Sequence, residues 1–249
     1  MKEKKQLDSW KSYDKTVGSE GHYYHQQIVL PNSLKLLELN KEKGASLLDL
    51  GCGQGILARH LPEKVEYVGV DSSKALIRAA HKYSKHSFIL GDVSQPLSVE
   101  KKDFSHVVIL LALQNIQDPF SVLKNAATHL RRGGKLLIVL NHPCFRIPRQ
   151  SSWGVDPQKK IQYRRLDRYS SPLQVPIQMR PSQKELSEET WSYHYPLSTY
   201  SEWLKKAGFL IKQLDEWCSN KKSMGKMAAI EDRARQEFPL FLAILSVRA

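Results

Sequence analysis

The chain is predicted to be an α/β protein, a mostly parallel sheet with helices on both faces. Three observations predict it. From residue 46 onward, short apolar runs alternate with amphipathic stretches, the rhythm of repeated βαβ units. The first run ends in the closely spaced glycines Gly51, Gly53 and Gly55, and the second closes on Asp71. The 249 residues, 41% hydrophobic and 25% charged, are enough for one large domain of ordinary globular composition.

The elements follow in order. Residues 1–20 are polar. In residues 21–43, aromatics mix with Ile28, Leu30, Leu34, Leu37 and Leu39 in a helical rhythm that Gly44 ends. Ser46–Leu50 reads as a buried strand, and Gln54–Leu61 as a helix closed by Pro62. Val65–Val70 is the second strand. Ser73–Tyr83 is a helix with Ser72 or Ser73 as its N-cap, because a serine there can accept from the free N–H groups of the first turn. Phe88–Leu90 and Phe104–Leu113 read as strands three and four. Pro119–Leu130 is a helix opened by proline, and Gly133-Gly134 turns into Lys135–Leu140, the fifth strand. Residues 143–197 carry many prolines and aromatics without a clear period, which suggests an irregular lid or binding loop. Leu197–Ala207 returns to helix with Gly208 at its C-terminal end. Phe209–Trp217 alternates like a strand, residues 218–239 read as a basic connection, and Leu240–Val247 is a final buried strand.

Composition narrows the setting. No apolar run approaches the roughly 18–20 residues of a membrane span, and no apolar stretch follows the N-terminal lysines as in a secretory signal. Cys52, Cys144 and Cys218 are widely separated and show no metal-ligand spacing, which favours reduced thiols and a cytoplasmic location without a metal. The 38 Lys and Arg against 25 Asp and Glu give a net charge of +13. That charge permits a polyanionic partner, but its spread along the chain fits a solvated basic surface better.

The chemistry centres on LLDLGCGQG, residues 47–55. Glycines let a backbone approach a ligand and adopt φ > 0, and a helix starting behind them would present free N–H groups. Asp49 sits inside the strand, where a carboxylate is costly unless hydrogen-bonded. Asp71 lies about 20 residues beyond the turn, where it can accept from both hydroxyls of a ribose. Asp92, in Gly91-Asp92-Val93, follows the next strand at the same sheet edge and can accept from an adenine amino group.

Together these motifs resemble the class I S-adenosylmethionine-dependent methyltransferases, and the subgroup of the ubiquinone and menaquinone methyltransferases most of all. LLDLGCGQG is similar to the first motif of that family, VGVD to the second, GDV to the third, and LRRGGKLLIVL to the strand after the next helix. The resemblance implies S-adenosyl-L-methionine as cofactor and a Rossmann-like seven-stranded sheet whose last strand is antiparallel, with a cap inserted after strand five. It also implies that Gly51, Gly53 and Gly55 contact the methionine part, Asp71 the ribose, and Asp92 with Val93 the adenine. A glycine at Ile56, which a dinucleotide fingerprint would need, is absent. So is the Asn-Pro-Pro-aromatic tetrad of enzymes acting on amino nitrogens of adenine or glutamine; LALQNIQDP stands there instead, with Gln114 and Asn115 as polar groups at the strand end.

The implied organisation is an N-terminal helical segment covering the cofactor (1–43), the cofactor-binding core (44–142), the substrate cap (143–197) and the C-terminal part of the core (198–249). Methyl transfer mainly needs alignment, with a base where the nucleophile must lose a proton. Candidate catalytic groups are His142 after strand five, His194 in the insertion and Tyr24, beside Tyr23 and His25, in the N-terminal segment. His81, His86, His106 and His129 read as surface or helix residues. In the insertion, Arg146, Arg149, Arg164, Arg165, Arg168 and Arg180 stand among Trp153, Tyr163 and Tyr169, with Asp156, Asp167 and Glu185 nearby. Arginine pairs with carboxylate or phosphate in two-point geometry, and Arg146 and Arg149 lie nearest strand five. The leading expectation is methylation of a small molecule, a quinone precursor or another aromatic or acidic metabolite. RNA, tRNA in particular, is the second, and a non-catalytic cofactor-binding regulatory module the third.

Overall fold

Asp49 and Asp71 meet at one edge of the molecule because their strands lie side by side and point the same way. The protein, analysed as a computed structural model, is described over residues 22–178 and 189–249. A seven-stranded sheet is built from β1 (Ser46–Leu50), β2 (Glu66–Asp71), β3 (Ser87–Leu90), β4 (Phe104–Leu110), β5 (Leu130–Asn141), β10 (Phe209–Trp217) and β11 (Phe241–Arg248). Its order is β10-β11-β5-β4-β1-β2-β3. The first five strands run parallel, and β11 is antiparallel to both neighbours. This is the expected mostly parallel sheet with an antiparallel last strand. β10 and β11 pair from Phe209↔Arg248 to Trp217↔Phe241, with a bulge between Ile211 and Gln213.

Period-two alternation buries both faces of the sheet. Leu47, Val108, Leu137, Val139, Ala243 and Leu245 face one core layer, and Leu48, Leu50, Ile109, Leu136, Ile138 and Ile244 the other. On the first face, α1 (Leu30–Leu37) packs with α2 (Lys74–Tyr83), which buries Ile77 and Ala80 there. On the second lie α3 (Pro119–His129), through Val122, Leu123 and Ala126, and α4 (Leu197–Lys206), through Tyr200 and Leu204. Ser73 caps α2 by accepting from the Leu76 N–H at 3.3 Å. Asp118 caps α3 ahead of Pro119, which needs no N–H partner.

Several expectations change. Residues Gln54–Leu61 form turns and a short 3-10 segment, Ala58–His60, rather than a helix. Gly53 and Gly55 take φ of +56° and +72°, which interrupts any regular helix there. Strand four ends at Leu110, and Leu113–Asn115 curls into a 3-10 turn. The insertion is not irregular. It holds two antiparallel ribbons, β6 (Ser151–Asp156) with β7 (Ile161–Leu166), and β8 (Leu173–Gln178) with β9 (Glu189–His194). Both ribbons are half-exposed, so their apolar residues show no continuous run in the sequence. The basic connection contains α5 (Ala228–Glu237), whose short apolar stripe buries only Ala234. His106 is not a surface residue. It lies wholly buried in β4, bonded to Ser105 Oγ at 2.8 Å and to the Leu37 carbonyl at 3.0 Å.

Candidate cofactor and substrate site

The turn after β1 is tied to the end of β2. The N–H groups of Gly51 and Cys52 both donate to the Val70 carbonyl, at 2.8 and 3.1 Å. Gly53 N–H donates to Asp71 Oδ2 at 2.9 Å, and Ser73 N–H to Asp71 Oδ1 at 2.8 Å. Asp71 is therefore aimed by two backbone donors, and burial holds its carboxyl above the usual range despite them. The N–H of Gly53 bonds a carboxylate here, in place of the free helix N-terminus expected from the sequence.

Glycine is required at this turn for two separate reasons. At Gly51 (φ +80°) an added Cβ would meet Ala112 Cβ at 2.5 Å, and at Gly55 it would meet the Phe88 ring at 2.8 Å. At Gly53 it would meet nothing within 4 Å. The space over Gly53 is open.

Asp49 is buried within β1, and Tyr67 O–H donates to its Oδ2 at 2.8 Å. Its Oδ1 is buried without a partner. Burial pushes its pKa up to about 7, with the nearby Asp71 charge adding to the effect. Sequence reasoning missed Tyr67. The available signal was Gly69, a glycine inside a strand and in register with Asp49. A Cβ at Gly69 would lie 2.9 Å from the Tyr67 hydroxyl, so the glycine makes room for that bond.

Asp49, Gly51 and Gly53 line a cavity of about 60 Å³ that is closed on the other side by His25, Val29 and Leu30. His25 Nδ1 is buried there without a partner, and burial holds the imidazole down to about 4. The residues fit the methionine end of S-adenosylmethionine. Asp49 Oδ1 is an orphaned acceptor that a cationic ammonium would satisfy, and the open face of Gly53 admits close approach.

Asp92 is exposed, and its Oδ1 accepts from the N–H and hydroxyl of Ser94 at 2.9 and 2.7 Å. Val93 is buried, and its carbonyl accepts from Asn125 Nδ2 at 2.8 Å. Gln114 and Asn115 stand on the turn after β4, and both side-chain amides donate to the Leu111 carbonyl, at 2.7 and 3.3 Å. Gln114 Oε1 is buried and unpartnered. Strand β9 of the cap packs against this turn.

The three candidate catalytic groups separate. His142 is buried, its Nδ1 accepts from the Cys144 N–H at 3.1 Å, and its Nε2 meets Glu216 Oε1 at 2.7 Å. An acceptor Nδ1 makes Nε2 the protonated nitrogen, so the ring has no lone pair left for a substrate proton. In this arrangement both ring nitrogens of His142 are engaged within the fold. The Tyr24 hydroxyl lies 3.4 Å from Ser219 Oγ, and its ring stands edge-on to Phe241. His194 Nε2 is 2.7 Å from the Tyr169 carbonyl, so Nε2 carries the proton and Nδ1 the lone pair.

The arginines separate as well. Arg146 is half-buried and Arg149 exposed, with φ +60°. Arg164 donates to the Phe145 carbonyl at 2.7 Å and to Ser151 Oγ at 2.8 Å. Arg165 pairs with Asp167 at 3.3 Å. Arg180 and Glu185 lie outside the described residues.

A family model described as a methyltransferase domain matches residues 22–214. A ubiquinone biosynthesis O-methyltransferase of Coxiella burnetii (strain Dugway 5J108-111) is 31% identical over 115 residues, 44% of this chain and 49% of that protein. A demethylmenaquinone methyltransferase of Thermotoga maritima is 34% identical over 108 residues, 42% of this chain and 45% of that protein. The chain spans about half the length of the curated relatives it matches. The crystal structure of an S-adenosylmethionine-dependent methyltransferase from Mesorhizobium loti superposes with a TM-score of 0.68 at 22% identity, covering 88% of this chain and 96% of that one. That likeness is one of fold.

Proposed function

The chain belongs to the methyltransferase domain family, whose cofactor is S-adenosylmethionine, and on that premise we propose that it transfers the cofactor's methyl group to a small molecule. The observation that carries the reading is the pairing of an aimed ribose acceptor, Asp71, with an orphaned acceptor, Asp49 Oδ1, on either side of the Gly51–Gly55 turn. When bound, S-adenosylmethionine supplies a methyl group already activated on a sulfonium, so this chain's residues have only to bind, align and manage a proton. Gly51, Gly53 and Gly55 would shape the turn against the methionine end, Asp71 would hold the ribose, and Asp92 with Val93 the adenine.

For a hydroxyl acceptor, His194 is the group in this chain that takes the proton, at Nδ1. The Tyr169 carbonyl fixes its tautomer, and β9 carries it on the ribbon that covers the turn after β4. Gln114 Oε1, buried and unpartnered on that turn, would accept from the substrate. Asn115 would lie at the rim of the same space.

A compact substrate is supported by two of the cap's arginines, Arg146 and Arg164, which bond main-chain carbonyls, while Arg149, Lys159, Lys160, Arg165 and Arg168 are exposed. The net charge of +13 favours RNA as the second reading. Transfer of labelled methyl groups into a metabolite extract and into total RNA, at low and high salt, separates the two. Label in the small-molecule fraction with weak salt dependence supports the proposal. Label in RNA, falling steeply with salt, overturns it. Tight S-adenosylhomocysteine binding without turnover in either fraction would instead support a regulatory module. Among the described residues no helix is long and apolar enough to cross a membrane.

A further inference from the structure

Some of the lysines and arginines among the described residues are paired with carboxylates. Lys101 pairs with Glu66, Lys135 with Glu38, Arg131 with Glu42, Lys206 with Glu202, and Arg235 with Glu231. The carboxyl edge of β5 and the start of β11 differ. Arg146 lies there with one Nη1 donor at 3.3 Å from the Leu240 carbonyl and its guanidinium 5.2 Å over the Phe241 ring. Arg164 sits 4.9 Å over the Trp153 ring, and Lys221 4.8 Å over the Tyr24 ring. Among the described residues, no carboxylate is within ion-pair distance of these three cations. Glu216, on the strand paired with the start of β11, is bound to His142.

Burial lowers the Arg146 pKa, and the positive charge of Arg164 lowers it further, while Tyr24 opposes both. A half-buried guanidinium facing like charge and aromatic rings is costly unless an anion arrives. The rings do not supply one, because a ring quadrupole gives only a fraction of a charge-assisted bond. The N-terminal segment links this place to the cavity beside the glycine turn. Tyr24, edge-on to the same Phe241 ring that Arg146 covers, directly precedes His25, which lines the cavity with Asp49 and Gly53.

We propose that Arg146, with Arg164 and Lys221 adding to the field, forms an anion subsite, so that the methyl acceptor carries a carboxylate or phosphate group seated against Arg146. This rests on the small-molecule methyltransferase reading and narrows it. Arg149, exposed in the same loop, takes no part. Arg164, already engaged by Phe145 and Ser151, positions and charges the subsite rather than contacting the ligand.

The test uses the full chain saturated with S-adenosylhomocysteine. Calorimetry first measures binding of that product; failure to bind it would remove the methyltransferase reading itself. With the product bound, three probes of similar size are titrated by protein NMR: benzoate, phenyl phosphate and benzyl alcohol. The proposal expects one of the two anions to bind at least roughly tenfold tighter than the alcohol, the ratio expected of one charge-assisted contact. Which anion wins distinguishes a carboxylate from a phosphate acceptor. Arg146→Gln should erase the preference, Arg146→Lys should retain part of it, and Arg149→Gln should leave it intact. Equal binding of all three probes to the native chain, with the product bound, overturns the inference and leaves the methyltransferase reading standing. So does a preference that survives in a folded Arg146→Gln protein. If Arg146→Gln does not fold, the native-chain comparison and the Arg146→Lys variant still decide.

Discussion

The phenol of Tyr67 donates to Asp49 Oδ2 at 2.8 Å and keeps a carboxyl group inside the sheet while its other oxygen stays unpartnered. Tyr67 is itself fully enclosed, and burial with the neighbouring Asp49 pushes its own pKa well up. The bond therefore has a neutral donor at any ordinary pH. What titrates is the aspartate.

The pH dependence of stability should report that titration. Asp49, an ordinary carboxyl near 3.8 in an unfolded chain, is pushed up to about 7 by burial. The folded state then binds the extra proton, so the group's contribution is full below its unfolded pKa and is lost as pH rises toward 7. His25 works in the opposite sense. It is held down from 6.5 to about 4, so stability is gained as pH rises through that interval. The clean observable is a difference. The melting temperature of Asp49→Asn minus that of the native chain should increase between about pH 4 and pH 7 and then level off. A difference independent of pH would show that Asp49 does not titrate in that range.

Asp71→Ala should weaken S-adenosylhomocysteine binding by roughly tenfold to several hundredfold, since it removes acceptors for two hydroxyls. It should also cost about 1–2 kcal/mol of stability, because the N–H groups of Gly53 and Ser73 lose their acceptor. Calorimetry on the folded variant checks the first figure and chemical denaturation the second. Unchanged affinity would sink the ribose assignment.

The glycines should behave differently from one another. Gly55→Ala drives a Cβ into the Phe88 ring and should lower stability by about 2–4 kcal/mol. Gly53→Ala meets only open space and should cost about 1–2 kcal/mol for its left-handed backbone. If the cofactor occupies that space, Gly53→Ala loses binding out of proportion to stability. Normal affinity in that variant would mean the ligand does not approach the turn.

The histidines offer a further contrast. His194→Ala should reduce kcat for a hydroxyl acceptor by about 10²–10⁴-fold and remove a low-pH limb from its pH profile. His142→Ala should instead lower stability by about 1–3 kcal/mol through its lost bonds to Glu216 and Cys144, with kcat of the folded fraction little altered. A large kcat effect at His142 with native stability would reverse the two roles.

The sheet was legible because buried parallel strands leave short apolar runs, and β1 and β2 close on Gly51 and Asp71 while β4 shows the apolar run itself. The cap was not. Its ribbons pair Trp153 with Arg164 and Gly154 with Tyr163 across half-exposed strands, and such pairing leaves no period in one strand alone. At the site, Asp71 and the glycines could be read from spacing, since their roles depend on backbone near in sequence. The Tyr67–Asp49 bond and the engaged nitrogens of His142 depend on register and on partners such as Glu216, 74 residues away, which no local pattern encodes.

The bulge in β10 bears on how the molecule behaves in a crowd. β10 is an edge strand, and it exposes Leu210, Ile211 and Leu214, a composition that on a regular edge would invite a second chain to add a strand. The bulge sets Lys212 outside the ladder between Ile211 and Gln213, breaking the hydrogen-bond spacing beside a charged side chain. An incoming strand would have to match two registers at once and desolvate an ammonium. The edge is thereby protected from edge-to-edge aggregation without covering it, and straightening it by deleting Lys212 would leave a surface suited to self-association.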